Sequence, residues 1–203
     1  MRIGKRTRPA IFLDRDGVLN ATVLNPRTGR MESPLTAHDL RLIDGVIPAL
    51  QRLQRAGYPL ILASNQPNYA LGKSTWRTQW DIQYQLVRAL TSAGIGFTRF
   101  SYCLHHPNGL TPGYSRVCDC RKPSPGLLLQ ARDDFGLTLS ESWMIGDQPT
   151  DTLCGHAAGA RTIRIAPFGS DAVPFPCSPD PCADYFVRNL TEAVDIVLAN
   201  PIH

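Results

Sequence analysis

Apolar positions in this chain fall in short unbroken blocks that alternate with helical stripes. Six blocks read as strands: PAIFLD (9–14), YPLILAS (58–64), FTRFSYC (97–103), SWMIGD (142–147), RTIRIA (161–166) and DYFVRN (184–189). Between them the apolar spacing turns helical. Residues 45–57 put Val46, Ala49, Leu50 and Leu53 on one stripe closed by Gly57, and residues 74–93 put Trp76, Trp80, Tyr84 and Val87 on one face, the face expected to pack. Further helices are expected from about Ser124, with Pro125 in its first turn, over 150–160 and over 190–199. Strands that alternate with helices predict an α/β, doubly wound (Rossmann-like), mostly parallel sheet with helices on both faces. No repeat or linker divides residues 1–203, so one domain is expected.

In such sheets ligands collect outside the carboxyl ends of the strands. Read in order, those ends carry Asp14 and Asp16 with Gly17, then Ser64 and Asn65, then Arg121 and Lys122 before a helix, then Asp147 and Asp151. Several carboxylates, a hydroxyl and a lysine at one rim suit Mg²⁺ and a phosphate. One carboxylate can attack phosphorus, and a second can protonate the leaving oxygen and later deprotonate water. Each piece alone is common: turn chemistry accounts for an isolated Asp-x-Asp-Gly, and a solvated side chain for an isolated lysine. Their order and shared placement argue against those bland readings.

Composition refines this only in places. The 203 residues are 43% hydrophobic and 19% charged, ordinary for a globular chain. No apolar stretch approaches a membrane span, and the segment after the basic leader (residues 1–8, with Arg2, Lys5, Arg6 and Arg8) is too short for a signal peptide. A cytoplasmic protein is expected. The net charge of +4 owes part to this leader, read as a solvated terminus rather than a nucleic-acid arm.

Of the six cysteines, three fall in one loop. Cys103-x-His105 and Cys118-x-Cys120 present two ligand pairs at a spacing suited to tetrahedral Zn²⁺, with His106 as rival to His105. The loop (103–120) has no apolar periodicity of its own, and a structural zinc contributes roughly 10–16 kcal/mol in small peptides. Its neighbour Lys122 would be pinned with it. Cys154 reads as core, while Cys177 and Cys182 are a metal half-site, a disulfide or, ranked first, neither.

FLDRDGVLN, SNQ, RKP and GDQPTD resemble the four motifs of the haloacid dehalogenase (HAD) superfamily of phosphohydrolases. The resemblance spans about residues 10–165. It implies Asp14 as nucleophile and Asp16 as general acid/base. It also implies Mg²⁺ on Asp14, the Asp16 carbonyl and Asp147 with support from Asp151, and Ser64 and Lys122 on the transferring phosphoryl group. The CxH…CxCRKP loop resembles the heptose bisphosphate and histidinol phosphate phosphatases of that superfamily, which lack a separate cap domain, and it favours His105 as ligand. The Asn65–Lys73 stretch looks more like the heptose bisphosphate branch. The resemblance then implies a monomeric phosphatase of a small sugar bisphosphate, with Asn20, Asn65, Gln66 and Arg121 at the substrate. Histidinol phosphate is the alternative substrate, and a non-catalytic zinc-dependent interaction module the alternative of another class. Pro67, Asn68, Leu71 and Gln148 depart from the family's usual residues, in and near the substrate-facing loop.

Overall fold

The computed structural model describes residues 7–166 and 180–201. Six strands, β1 (Ile11–Leu13), β4 (Leu60–Asn65), β5 (Arg99–Cys103), β6 (Trp143–Gly146), β7 (Arg161–Ile165) and β8 (Tyr185–Val187), form one sheet in the order β5-β4-β1-β6-β7-β8. Every pairing in it is parallel. The chain starts in the middle, winds outward through β4 and β5, then crosses back to build β6, β7 and β8. The reversal of winding falls at β1, which places the crevice over that strand's end.

Five helices cover the sheet: α1 (Val46–Arg55), α2 (Trp76–Ser92), α3 (Gly126–Phe135), α4 (Pro149–Ala157) and α5 (Leu190–Ala199). Strand side chains alternate between faces, so each strand feeds two cores. Ile11, Leu13, Leu62 and Ile145 pack under α1, α2 and α5, whereas Phe12, Ile61, Ala63 and Met144 pack under α3 and α4. The stripe predicted for α1 is the one buried, Val46, Ala49, Leu50 and Leu53. Helix α3 starts two residues after the expected Ser124, with Pro125 as its N-cap.

One expected face is corrected. Helix α2 buries Ile82, Leu86 and Leu90, and Trp76, Trp80 and Tyr84 lie exposed by 43%, 58% and 65%. The aliphatic stripe shares the helical period but sits on another side, and branched aliphatic chains fit the flat sheet better than indoles. Trp76 and Trp80 gather instead with Tyr69 and Tyr114 at the end of the helix nearest the cysteine loop.

Between β1 and α1 the chain builds an antiparallel hairpin, β2 (Val23–Asn25) with β3 (Arg30–Glu32). Its sequence cue, Asn-Pro-Arg-Thr-Gly between two short runs, is a turn signal that the longer periodicities overshadow. Lys73, in the segment after β4, bonds Glu32 at 2.9 Å and ties the hairpin to the opposite rim. Lys73 and the Asn25 and Thr28 hydrogen bonds outweigh burial and hold Glu32 down at about 2.

Residues 1–6 of the basic leader and Cys177 lie outside the described residues. Among those described, Cys154 is fully buried, as expected of a core residue, and Cys182 belongs to no cluster of metal-ligating side chains. No described helix is long and apolar enough to cross a membrane.

Candidate active site and metal centres

The register sets the site. Leu13 pairs with Leu62 on one side and Ile145 on the other, so the next residue, Asp14, stands beside the ends of both neighbours. Its N–H donates to Ile145 O at 2.9 Å. From β6 the chain continues into Asp147, and Asp151 follows from the first turn of α4, where its Oδ2 accepts the Gln148 N–H at 3.0 Å. Asp14, Asp147 and Asp151 thus converge, with carboxylate oxygens within 4.8 Å of one another and all three residues buried.

Two glycines make this approach possible. Gly17, at φ 82°, would carry a Cβ 2.4 Å from Asp147 Oδ2, and a Cβ on Gly146 would fall 2.2 Å from Asp151 Cβ and Oδ2. Any other residue at either position displaces a carboxylate.

Lys122, only 2% exposed, enters from the loop before α3. Its ammonium lies 2.9 Å from Asp14 Oδ1 and 2.6 Å from Asp151 Oδ1, and donates to Ala63 O at 2.7 Å. Burial opposes its charge, but the two aspartates outweigh burial and hold its pKa above 10.5. Asn65 fixes its backbone reciprocally: Nδ2 donates to Lys122 O and Oδ1 accepts from Lys122 N, both at 3.0 Å. Asn65, expected at the substrate, is thereby a clamp on Lys122, at the cis Lys122–Pro123 bond.

One lysine does not neutralise three carboxylates. Burial, then the Asp14 and Asp151 charges, push Asp147 from 3.8 to about 8. Burial, with Asp14, lifts Asp151 to about 6 against the pull of Lys122. Asp147 Oδ1 is buried without a hydrogen-bond partner. An orphaned carboxyl oxygen in an under-compensated, all-oxygen cluster fits a hard divalent cation.

Asp16 stands apart from that cluster. Its carboxylate accepts from Arg15 Nε and Nη2 at 3.0 Å each, Asn20 Nδ2 at 2.9 Å, Ser33 Oγ at 2.8 Å and Gln66 Nε2 at 2.6 Å. Burial raises its pKa, and the Arg15 charge with the Arg15, Gln66 and Asn20 hydrogen bonds more than reverses this, holding it below 3.8. Asn20 is fully buried and Gln66 nearly so, and both spend their amides on Asp16. Of the four expected substrate contacts, Arg121 and Asn65 line the cleft, whereas Asn20 and Gln66 support its floor. Ser64, 1% exposed, accepts a 3.1 Å bond from Gln66. Arg15 and Ser33 were not foreseen: a residue between two aspartates on a strand end has no periodic signal, and Ser33 arrives on the unpredicted hairpin.

The cleft over these groups measures about 480 Å³, within the range of small-molecule sites. Thr22, Met31 and Glu32 from the hairpin side, Pro67 and Gln148 also line it. Of the four departures from the family pattern, therefore, Pro67 and Gln148 line the cleft and Asn68 and Leu71 do not.

The cysteine loop brings together a second group of side chains that could hold a metal. The Cys103, Cys118 and Cys120 sulfurs lie 3.3–3.5 Å apart, and His105 Nδ1 is 3.8 Å from Cys103 and 3.3 Å from Cys120. A Zn–S bond of about 2.3 Å gives tetrahedral S–S edges of about 3.8 Å, so this set is a slightly contracted tetrahedron. Arg116 Nη2, 2.9 Å from His105 Nε2, brings positive charge to a set in which three thiolates would outnumber a divalent ion. His106 is outside the cluster and accepts the Asn108 N–H, which leaves His105 as the histidine of the group. Cys103 ends β5, where it pairs with Asn65, and Cys120 lies two residues before Lys122.

Parallel α/β winding, the crevice over β1 and the carboxylate–lysine cluster define a phosphohydrolase of the HAD-like class. A HAD-hydrolase-like family profile matches residues 119–193. Among curated proteins, the D-glycero-β-D-manno-heptose-1,7-bisphosphate 7-phosphatase of Vibrio cholerae is 37% identical over 155 residues, 76% of this chain and 79% of its own length. That of Escherichia coli is 33% identical over 184 residues, 91% of each chain. Among solved structures, a HAD-like phosphatase from Mesorhizobium loti superposes with TM-score 0.77 at 25% identity, covering 98% of this chain and 90% of that one. A D,D-heptose 1,7-bisphosphate phosphatase from B. bronchiseptica, complexed with magnesium and phosphate, gives 0.76 at 24%, covering 94% and 98%. The chain belongs to the heptose-1,7-bisphosphate 7-phosphatase family of HAD-like phosphatases.

Two predictions follow from the carboxylate cluster. Gly146→Ala should displace Asp151 and abolish Mg²⁺ binding by calorimetry while the circular dichroism spectrum persists; unchanged affinity would contradict the geometry. The second concerns pH. Because Asp147 titrates near 8 when folded and near 3.8 when unfolded, the folded state binds more protons between those values, and stability falls as pH rises through that window. Without Mg²⁺ the urea midpoint should therefore decline from pH 5 to 8, and saturating Mg²⁺ should flatten the decline.

Proposed function

We propose that this chain, as a single-domain cytoplasmic monomer, removes the 7-phosphate of D-glycero-β-D-manno-heptose 1,7-bisphosphate through an aspartyl phosphate on Asp14, in nucleotide-activated heptose biosynthesis. The observation that carries this is the buried Asp14–Lys122–Asp147–Asp151 cluster at the switch of the sheet. The β-heptose bisphosphate is taken from the relatives' names.

Asp14 bears one carboxylate oxygen that attacks phosphorus as the P–O7 bond breaks. The leaving sugar oxygen takes a proton from the Asp16 carboxyl. Since Asp16 is held ionised in the free protein, it takes up that proton before or with the substrate. Asp16 then removes a proton from water, whose oxygen attacks the phosphoryl group, and cleavage of the P–O bond to Asp14 regenerates the carboxylate and releases inorganic phosphate. Lys122 and Ser64 are assigned to the phosphoryl oxygens, where charge develops. Mg²⁺, held by Asp14, Asp147 and the Asp16 carbonyl with Asp151 behind them, would supply charge neutralisation and orient the phosphate. Arg121, whose Nη1 donates to His105 O at 3.2 Å, is assigned to the second phosphate, for which its planar fork is suited.

Zn²⁺ is proposed for Cys103, His105, Cys118 and Cys120. Its part is structural: it closes the loop that delivers Arg121 and Lys122 and joins that loop to β5.

Phosphate release with Mg²⁺ tests the function. The β anomer of heptose 1,7-bisphosphate should exceed both the α anomer and histidinol phosphate at least about tenfold in kcat/KM, and Asp14→Asn should lower kcat by about 10⁴-fold or more. Histidinol phosphate as the faster substrate, or an active Asp14→Asn, would overturn the assignment. For the second centre, elemental analysis should find one zinc per chain, and Cys118→Ser should lose the zinc together with much of the thermal stability.

A further inference from the structure

Arg15 lies between the two aspartates and is buried to within 2% of its surface. The chemistry above leaves it without a task, yet a guanidinium is expensive to desolvate. Nε and Nη2 grip the Asp16 carboxylate fork to fork at 3.0 Å each, and Nη2 also donates to Gln66 Oε1 at 2.6 Å. Gln66 closes the ring by donating to Asp16 Oδ2 at 2.6 Å and to Ser64 Oγ at 3.1 Å. Neighbouring residues on a strand point to opposite faces. These two meet because the strand ends at Leu13 and the chain turns at Gly17. The arrangement holds Asp16 outside the group of three carboxylates that gather within 4.8 Å.

We propose that Arg15, braced by Gln66, is the positioning residue that fixes where the Asp16 carboxylate stands relative to the leaving oxygen and the attacking water. The proposal rests on the reading of Asp16 as general acid and base. A carboxylate has two side-chain torsions to lose. Two parallel N–H···O bonds from a planar fork fix both, and an ammonium would fix neither. A displacement of about 1 Å in such a group can cost about 10²-fold in rate.

A cavity of about 250 Å³ is lined by Arg15 together with Gln66, Trp76, Trp80, Phe100 and Tyr102. Removal of the side chain would therefore leave a space that free guanidinium can enter.

The test compares Arg15→Ala, Arg15→Lys and Asp16→Asn on heptose 1,7-bisphosphate and on an aryl phosphate, whose phenolate departs without a proton. Arg15→Ala should lower kcat on the sugar substrate about 10²-fold with little change in KM. On the aryl phosphate it should keep a burst of about one phenolate per enzyme followed by slow turnover, because only the attack of water then needs Asp16. Guanidinium chloride should restore the slow phase, and Arg15→Lys should behave like Arg15→Ala. Burst and turnover falling together on both substrates, a change in KM alone, or no guanidinium rescue would overturn the proposal. So would failure of both Arg15 variants to fold, which would assign the residue to the scaffold. Asp16→Asn separates the two levels. Full turnover in that variant refutes the reading of Asp16 itself. A burst with slow turnover there but not in the Arg15 variants refutes only the role of Arg15.

Discussion

The Lys122 ammonium, buried between Asp14 Oδ1 at 2.9 Å and Asp151 Oδ1 at 2.6 Å, is the contact on which the rest of the site depends. Three carboxylates this close would repel one another strongly in a poorly solvated rim. The lysine offsets part of that repulsion, and the remainder appears in Asp147, lifted to about 8. A fully compensated cluster would be a stable salt bridge with little capacity for a cation. This one leaves a buried, partnerless Asp147 oxygen, which is the electrostatic opening a divalent ion can fill.

The surrounding structure serves to keep that lysine and those carboxylates in place. Asn65 clamps the Lys122 backbone from the end of β4. The Cys/His cluster binds the same loop to the end of β5. Both tethers arise from adjacent parallel strands whose register places Asn65 opposite Cys103. Two backbone positions that only glycine satisfies, 17 and 146, let the aspartates pack against main chain. Opposite them, the β2–β3 hairpin and its Lys73–Glu32 bond close the cleft with a short ribbon.

Asp14 and Asp16 are two residues apart and experience opposite environments. Asp14 shares a lysine with other anions, whereas Asp16 is saturated by five donated hydrogen bonds and held ionised. Paired carboxylates in divergent surroundings take different tasks, and here Asp14 faces Lys122 while Asp16 is held by Arg15, Asn20, Ser33 and Gln66.

Much of this was legible in the chain alone. Alternating strand blocks and helical stripes specify a parallel α/β sheet because burial on both faces requires continuous apolar strands. Polar residues that abruptly end such strands mark the rim, which is how Asp14, Ser64 and Asp147 could be named, while Lys122, in the loop before α3, was named from its place ahead of a helix and from the family resemblance. The spacing of Cys103, Cys118 and Cys120 around a histidine marked a group of ligand-type side chains that the structure gathers with His105, and the choice of His105 over His106 came from the family resemblance. Periodicity carries no information about contacts between residues far apart in sequence, and there the tertiary structure decided. It turned the Trp76–Trp80–Tyr84 stripe outward because Ile82, Leu86 and Leu90 fit the sheet more closely. It set Asn20 and Gln66, whose buried amides must find partners, as braces of Asp16, and made Asn65 a clamp on Lys122 that still lines the cleft. It also brought Ser33 and Gln66 to the Arg15–Asp16 pair, a convergence that exists only once strand ends and hairpin are assembled around one charge.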